Sequence, residues 1–350
     1  MKVAVFGASG YGGQVLMRLL LDHPEVDAVL PVSSSTAGQK LDERDQGLGP
    51  DPLGKLPENQ CFLSHEEALA QSPDAVFSAL PHGASAEFCQ PFFEHSVVFD
   101  LSADFRLDDP RVHQQAYGAT APFPELRKDS VYGLAEINDN ALKTANLVAV
   151  PGCYPTCILL PLLPLAQAGI IGGPIVANAI SGISGAGRAP KENSLYVERA
   201  ECVTAYAPGR GHRHLPEMEQ ELAKAECHHP LFFTPHLAPF RRGMEATITV
   251  PLTNPKITED SITNLYQEAY GAAPFIGLRG KTIPSSSDVR GSNRCDIGWT
   301  IHEAPNDVRM MTLFSVIDNL MKGASGQAVQ GFNIRFGFPP LMGLPLRGET

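Results

Sequence analysis

What this sequence lacks sets its limits first. Cysteine is sparse: seven residues, an odd number at irregular spacings in a chain of 350, argue for reduced thiols and against a disulfide framework. Cys61, Cys89, Cys202, Cys227 and Cys295 also show no metal-ligand spacing, so no metal is expected. Long hydrophobic runs are missing, since no stretch approaches the roughly 20 uninterrupted apolar residues of a membrane helix. The chain opens directly on Met1-Lys2-Val3-Ala4-Val5-Phe6-Gly7, a strand pattern without the basic and apolar regions of a secretory leader, and a cytoplasmic location is the expectation. Positive charge is also short. With 27 Lys and Arg against 38 Asp and Glu the formal net charge is −11, which disfavours a nucleic-acid partner and favours a small molecule. Neither an internal repeat nor a low-complexity segment is present.

Hydrophobic residues, by contrast, make up 43% of the chain, enough for a core in each of the two domains that its length suggests. Val3-Ala4-Val5-Phe6 is an apolar run, Gly7-Ala8-Ser9-Gly10-Tyr11-Gly12-Gly13 a small-residue loop, and Gln14-Val15-Leu16-Met17-Arg18-Leu19-Leu20-Leu21 has helical spacing. Strand, glycine loop and helix in that order bring backbone N–H groups up to a pyrophosphate at a helix N-terminus. The spacing is GxxGxxG where the usual fingerprint is GxGxxG, and the candidate cofactor contacts are Gly7, Ser9, Gly10, Tyr11, Gly12 and Gly13. One more absence is informative here. The next strand, Asp27-Ala28-Val29-Leu30-Pro31-Val32, runs into Ser33-Ser34-Ser35-Thr36, where an NAD site would carry Asp or Glu for the ribose 2′-hydroxyl. Hydroxyls donate to a 2′-phosphate that a carboxylate would repel, so Ser33, Ser34 and Ser35 point to NADP.

Residues 37–60 read as a surface excursion, after which Ala75-Val76-Phe77-Ser78-Ala79-Leu80 resumes the buried-strand pattern and ends in Pro81-His82-Gly83. Ligands of a doubly wound sheet lie beyond the carboxyl ends of its strands, so His82 either contacts the cofactor or caps a turn. Val97-Val98-Phe99-Asp100-Leu101 leads to Arg106, which either forks onto a carboxylate or phosphate or pairs with Asp104 or Asp109. Asn146-Leu147-Val148-Ala149-Val150 is broken by Pro151-Gly152, placing Cys153 where an apolar helix begins. A helix N-terminus favours a thiolate; the plain alternative is a small buried hydrophobe. The loop from Ser181 to Arg188 suits an anionic substrate or serves as a linker. His212 and His214 share one side of an extended segment, and either can act as general base; no further ligand stands at a metal-site spacing. Alternating strands within residues 245–252, 297–302 and 310–317 suggest a mostly antiparallel sheet with helices on one face, which could also pair subunits. The expected fold is therefore α/β: a Rossmann-type doubly wound parallel sheet plus an α+β second domain.

An NADP site, a Cys after Pro-Gly and a basic histidine loop fit acyl transfer coupled to hydride transfer. A thiolate displaces phosphate from an acyl phosphate, and the thioester is reduced to an aldehyde. A nearby His would take the thiol proton. Six motifs also carry a family resemblance: Gly7 to Gly13, Leu101-Ser102-Ala103-Asp104-Phe105-Arg106-Leu107, Val150-Pro151-Gly152-Cys153-Tyr154-Pro155-Thr156, Ser181-Gly182-Ile183-Ser184-Gly185-Ala186-Gly187-Arg188, Gly211-His212-Arg213-His214-Leu215-Pro216-Glu217 and Lys322-Gly323-Ala324-Ser325-Gly326-Gln327-Ala328. In these, over nearly its whole length, the chain resembles the arginine-biosynthetic N-acetyl-γ-glutamyl-phosphate reductases, within the wider aspartate-semialdehyde dehydrogenase-like group.

The resemblance implies NADPH-dependent reduction of N-acetyl-γ-glutamyl phosphate to N-acetylglutamate 5-semialdehyde. It implies Cys153 as nucleophile, His212 in preference to His214 as acid/base, and Arg106, Ser181, Arg188 and Arg213 on the substrate. His82, Ser184 and Gly185 would contact the cofactor. An NADP-binding domain of residues 1–150 with 323–350, including a returning C-terminal helix, would accompany a catalytic and subunit-association domain of residues 151–322 in a homodimer or homotetramer. One departure from the family's commoner form is Gly209-Arg210-Gly211, which adds an Arg ahead of the histidines. Aspartate-semialdehyde dehydrogenase is the alternative enzyme, and an NADP-sensing protein without the reaction would leave Cys153 and the histidine loop unexplained.

Overall fold

A computed structural model of the chain describes residues 1–189, 192–305 and 308–349. Two compact units emerge: Met1–Pro151 with Ala324–Leu344, and Gly152–Gly323 with the segment from Pro345 onward.

The first unit holds strands β1 (Lys2–Phe6), β2 (Ala28–Val32), β3 (Ala75–Ser78), β4 (Val97–Asp100), β5 (Val131–Tyr132) and β6 (Leu147–Ala149). They run in the order β2-β1-β3-β4-β6-β5, and every pairing is parallel. Strands of such a sheet are covered on both faces and read as continuous apolar runs; Val3, Ala4 and Val5 are accordingly inaccessible. Strand order reverses at β1, which has β2 on one side and β3 on the other. A crevice therefore opens at the carboxyl end of β1, where the glycine loop begins. Gly13 has to be glycine: a Cβ there would lie 2.2 Å from the carbonyl oxygen of Gly7, so any side chain would push the Tyr11–Leu21 helix off its strand. The helix Gly326–Arg335 belongs to this unit. Its Phe332 ring stands 5.6 Å from Phe77 and 6.1 Å from Phe99, and Ser325 just before it donates to the Gly12 carbonyl at 2.9 Å.

The second unit contains β7 (Ile175–Gly182), β8 (Thr204–Ala205), β9 (Leu231–Ala238), β10 (Met244–Pro251), β11 (Ile276–Gly280), β12 (Cys295–Ala304) and β13 (Val308–Ile317). Their order is β11-β12-β13-β10-β7-β9-β8. The pairs β7/β9 and β11/β12 are parallel and the remaining neighbours antiparallel, so the sheet is mixed with antiparallel pairs in the majority. Alternation along β10 buries Met244, Ala246, Ile248 and Val250 under the Cys153–Gln167 helix, which also lies on β13. On the opposite face Val176 of β7 and Phe232 of β9, partners in register, are 41% and 57% exposed.

The Cys153–Gln167 helix carries Pro161 and Pro164 in its interior, and each withholds an N–H from the helical ladder. The carbonyl deprived by Pro164 is that of Leu160, four residues back. The Tyr270 hydroxyl supplies the missing donor at 2.7 Å, and Tyr266, from the same neighbouring helix Glu259–Tyr270, donates to the Pro161 carbonyl at 2.6 Å. The neighbouring helix thus supplies a donor that the proline withholds from the interior of the helix that begins at Cys153.

Candidate active site

Cys153 is the first residue of that 15-residue helix, after Gly152 as N-cap. The Gly152 N–H donates to Oε1 of Glu217 at 2.9 Å, and the Gly152 carbonyl accepts from both the N–H and the hydroxyl of Thr156 at 3.0 Å. Glu217 is fully buried in the first turn of the Leu215–Lys224 helix, so one carboxylate ties the thiol's turn to the helix that follows the histidine loop. On the far side, a Cβ placed on Gly323 would come within 2.8 Å of the Cys153 Cβ. Gly323 lies in a π-helical turn, Met321–Ser325, a distortion frequent at functional sites. Cys153 and Cys202 are half-buried whereas the other five cysteines are buried. Burial pushes the thiols of Cys89 and Cys157 up, away from reactivity.

Tyr154, next in sequence to the thiol, packs edge-on against His212 at 5.4 Å and His214 at 6.1 Å. The thiol turn and the histidine loop therefore meet. His212 is 8% exposed, enclosed also by Phe233 at 5.3 Å and Tyr206 at 5.5 Å. Its Nδ1 accepts the backbone N–H of His214 at 3.1 Å. Burial, with the Arg213 charge beside it, lowers its pKa to about 4. The Tyr206 hydroxyl donates to that of Tyr154 at 3.1 Å, and Tyr154 donates to the His236 carbonyl at 3.3 Å. Burial first, and a thiolate at Cys153 further, push Tyr206 up to about 12, so it stays a hydroxyl. Arg213 is exposed, while Arg210, the extra arginine of this loop, forks onto Glu219 at 2.8 and 2.7 Å.

The Ser181–Arg188 loop continues β7 into a 3₁₀ turn at Ile183–Ala186. Ser181 and Ser184 are buried, whereas Gly185 and Arg188 are exposed. Asn319, almost fully buried, donates from Nδ2 to Ser184 Oγ at 2.9 Å and accepts the Gly243 N–H on Oδ1 at 2.8 Å. Neither Asn319 nor Glu217 stands out in the sequence as a site residue, because each acts through a backbone or hydroxyl group far from it along the chain.

In the first unit the glycine loop stands at the crevice beside β1, with the Gly7 N–H on the Val32 carbonyl at 3.2 Å. Ser33 is buried, Ser34 and Ser35 are exposed, and Lys40 reaches the Asn59 carbonyl at 2.7 Å. Two buried polar side chains of this unit lack protein partners among the described residues: the Thr36 hydroxyl, and both amide atoms of Gln327 in the first turn of the helix whose N-cap Ser325 bonds Gly12. Buried amides and hydroxyls go unpaired at a cost of about 1–3 kcal/mol, so these orphans fit a bound dinucleotide. Beyond β3 and β4, the Asp104 carboxylate accepts the N–H groups of Gly83 and Ala86 at 2.7 and 3.0 Å, shaping the loop of His82, whose ring lies 5.4 Å from Tyr117. Asp100, inaccessible, accepts from the Ser85 hydroxyl at 2.6 Å and from the N–H and hydroxyl of Ser102 at 2.9 and 2.7 Å. Burial raises its pKa to about 6. Arg106 donates to the carbonyls of Val150 at 2.8 Å and Leu101 at 2.7 Å, joining the carboxyl ends of β6 and β4. Among the described residues no group of three or more His, Cys, Asp or Glu side chains could hold a metal ion.

Residues 2–145 match the NAD-binding domain of semialdehyde dehydrogenases and residues 153–319 their dimerisation domain. N-acetyl-gamma-glutamyl-phosphate reductase of Halorhodospira halophila is 42% identical over 347 residues, covering 98% of this chain and 97% of its own. That of Geobacter sulfurreducens is 43% identical over 350 residues, covering 98% of each. The chain belongs to the N-acetyl-gamma-glutamyl-phosphate reductase family. A probable chloroplastic member of this reductase family from rice is 40% identical, covering 98% of this chain and 81% of its own. The fold is shared more widely. Aspartate semialdehyde dehydrogenase II of Vibrio cholerae, solved with ASA, superposes with a TM-score of 0.73 at 19% identity, covering 96% of this reductase-family chain and 98% of its own. The Candida albicans enzyme, solved with NADP, gives 0.66 at 19%, covering 95% and 97%. No helix among the described residues is long and apolar enough to cross a membrane.

Proposed function

We propose that this protein reduces N-acetyl-γ-glutamyl phosphate to N-acetylglutamate 5-semialdehyde and phosphate with NADPH, in arginine biosynthesis in the cytoplasm, through a thioester on Cys153. The observation that carries this reading is the half-buried thiol at the first position of a 15-residue helix, packed through Tyr154 against a histidine pair, in a chain about 42% identical to named reductases over almost its full length. The first turn of the helix offers its N–H groups and partial positive charge to the thiolate. The thiolate attacks the acyl carbon, and phosphate departs with the bonding pair of the C–O bond. Bound NADPH supplies the hydride that reduces the thioester. The glycine-loop N–H groups hold its pyrophosphate, Ser33, Ser34 and Ser35 with Thr36 take the 2′-phosphate, and the Gln327 amide pairs with a polar edge of the cofactor. His82, Ser184 and Gly185 add further cofactor contacts. Arg188 and Arg213, both exposed cations, and the Ser181 hydroxyl hold the substrate's carboxylate and phosphate, and Arg106 fixes the backbone ahead of Cys153. His212 and His214, both packed on Tyr154, face the reacting group from the loop beside the thiol. Two copies pair through the sheet face that carries Val176 and Phe232, as a homodimer or as half of a homotetramer.

The test runs the reaction backwards. Phosphate-dependent reduction of NADP is measured with N-acetylglutamate 5-semialdehyde and with aspartate semialdehyde, for the wild type and for Cys153→Ser. Preference for the acetylated substrate and loss of turnover in the variant are expected. Preference for aspartate semialdehyde would reassign the substrate, and an active Cys153→Ser would remove the thioester.

A further inference from the structure

We infer that His212 is held as the neutral tautomer with its proton on Nε2, and that it serves the reaction as a hydrogen-bond donor to the reacting carbonyl oxygen, not as the base that takes the thiol proton. The inference rests on the thioester reading and assigns the work of one residue within it. A backbone N–H can only donate. Because the His214 N–H points at Nδ1 of His212 at 3.1 Å, that nitrogen must present its lone pair, and a neutral imidazole then carries its hydrogen on Nε2. In this tautomer Nε2 has no lone pair to receive a proton. An imidazolium would set an Nδ1–H against the His214 N–H, two donors face to face in a site where the ring is 8% exposed. Of the charged and titratable groups around it, Arg213 is a cation that disfavours the imidazolium, and the rings of Tyr154, Tyr206 and His214 pack on its faces and edge. The low pKa of the ring agrees with this geometry.

Among the described residues the bond from His214 is the only hydrogen bond of the His212 ring, so the Nε2–H remains available to a ligand. The proton balance of the reductive direction needs no base at the sulfur. A Cys153 thiolate forms the C–S bond as the acyl C–O bond breaks, and the bonding pair leaves with phosphate, which takes up the one proton that the overall reaction consumes. Reduction of the thioester puts an electron pair on its carbonyl oxygen. Collapse of that oxyanion re-forms C=O, breaks C–S, and returns the sulfur as thiolate. The charge that needs stabilising is on oxygen, and a fixed N–H aimed at it is what lowers the barrier.

Two measurements test this. In wild-type protein labelled with ¹⁵N-histidine, two-bond ¹H–¹⁵N correlations distinguish the tautomers; His212 is expected as Nε2–H, without titration between pH 6 and 8. An Nδ1–H tautomer, or an imidazolium forming in that range, overturns the inference without need of a variant. Second, His212→Gln and His212→Ala are compared, since a glutamine amide can replace the N–H donor but no base. The glutamine variant should keep turnover within about 10-fold and the alanine variant lose roughly 10²- to 10³-fold, while the pH inflection of Cys153 alkylation stays where it is in both. Equal loss in the two variants with an upward-shifted alkylation inflection would mark His212 as the thiol's base. An active Cys153→Ser would instead end the thioester reading, and the tautomer measurement would stand apart from it.

Discussion

Gly323→Ala tests how tightly the nucleophile is placed. The added Cβ would lie 2.8 Å from the Cys153 Cβ, 3.3 Å from its Cα and 3.2 Å from Ile317 Cδ1, against about 3.5–4.0 Å for carbons in contact. Ile317 can turn its methyl away. Cys153 cannot, because its Cβ is set by the backbone of a helix start whose preceding N–H is held by Glu217. The overlap is therefore relieved by moving the start of the helix by about half an ångström to one ångström, and overpacking of this kind costs about 1–3 kcal/mol. A nucleophile displaced by about 1 Å loses up to roughly 10²-fold in rate. Purified variant and wild type are compared by kcat, by the rate of iodoacetamide labelling at Cys153 and by thermal midpoint. We expect kcat to fall about 10- to 100-fold with a melting temperature a few degrees lower. Gly331→Ala is the control: its Cβ would meet Phe99 at an ordinary 3.5 Å inside a helix, where alanine gains about 0.5–1 kcal/mol. If Gly323→Ala melts lower but turns over within twofold of the wild type, the glycine serves packing alone and the placement argument is wrong.

Three further expectations are open to direct measurement. The Asp100 carboxyl, raised by burial from 3.8 to about 6, favours its protonated form in the fold. Its stabilisation is complete below pH 3.8 and is lost as the pH climbs through 6, a gap on the order of 3 kcal/mol. Asp100→Asn should show no such loss, and the variant-minus-wild-type difference in melting temperature should grow between pH 4 and 6; a flat difference refutes it. Ser34→Asp places a carboxylate in the exposed loop after β2 and should shift the NADPH-to-NADH ratio of kcat/KM at least about 10-fold towards NADH through like-charge repulsion of the 2′-phosphate; an unchanged ratio would remove this loop from cofactor choice. Phe232→Lys, at a residue 57% exposed beside Val176, should convert the assembly to a smaller species in light scattering with the monomer fold retained, and an unaltered mass would exclude this face as the interface.

Where the sequence was readable, one local signal sufficed. The strand, glycine loop and helix at residues 2–21 are adjacent in the chain, and a helix start after Pro151-Gly152 needs only its neighbours to be recognised. The mixed sheet is different. The parallel pairing of β7 with β9 joins residues more than 50 apart, with Pro235 inside β9 to hide the strand, and alternation carries no sign of strand direction. Supporting polar residues are equally hidden. Glu217 reads as one acid in an amphipathic helix and Asn319 as one of several polar residues after β13; only folding brings the first to Gly152 and the second to Ser184. Arg106 was open to a ligand or an ion pair, and the structure adds a third partner type, the two strand-end carbonyls.

The chain also contains its own comparison for His212. His23 is inaccessible, and its Nδ1 accepts the N–H of Glu25 at 3.2 Å, the same two-residue turn that links His212 to His214. Burial lowers the pKa of both rings, so a backbone donor on Nδ1 goes with a neutral imidazole in each unit. The rings differ at the other nitrogen. With Nδ1 accepting, His23 must donate from Nε2, and it does so to Oδ1 of Asn333 at 2.8 Å, whose amide in turn donates to the carbonyl of Met342 at 2.8 Å. That donor is consumed in fastening the C-terminal segment. His212 has the same turn and the same tautomer but no hydrogen-bond acceptor at Nε2 among the described residues, and it packs on the residue next to the thiol. The turn fixes the proton in both cases; what separates a structural histidine from one that can serve a substrate is whether the protein has already spent the hydrogen it fixes.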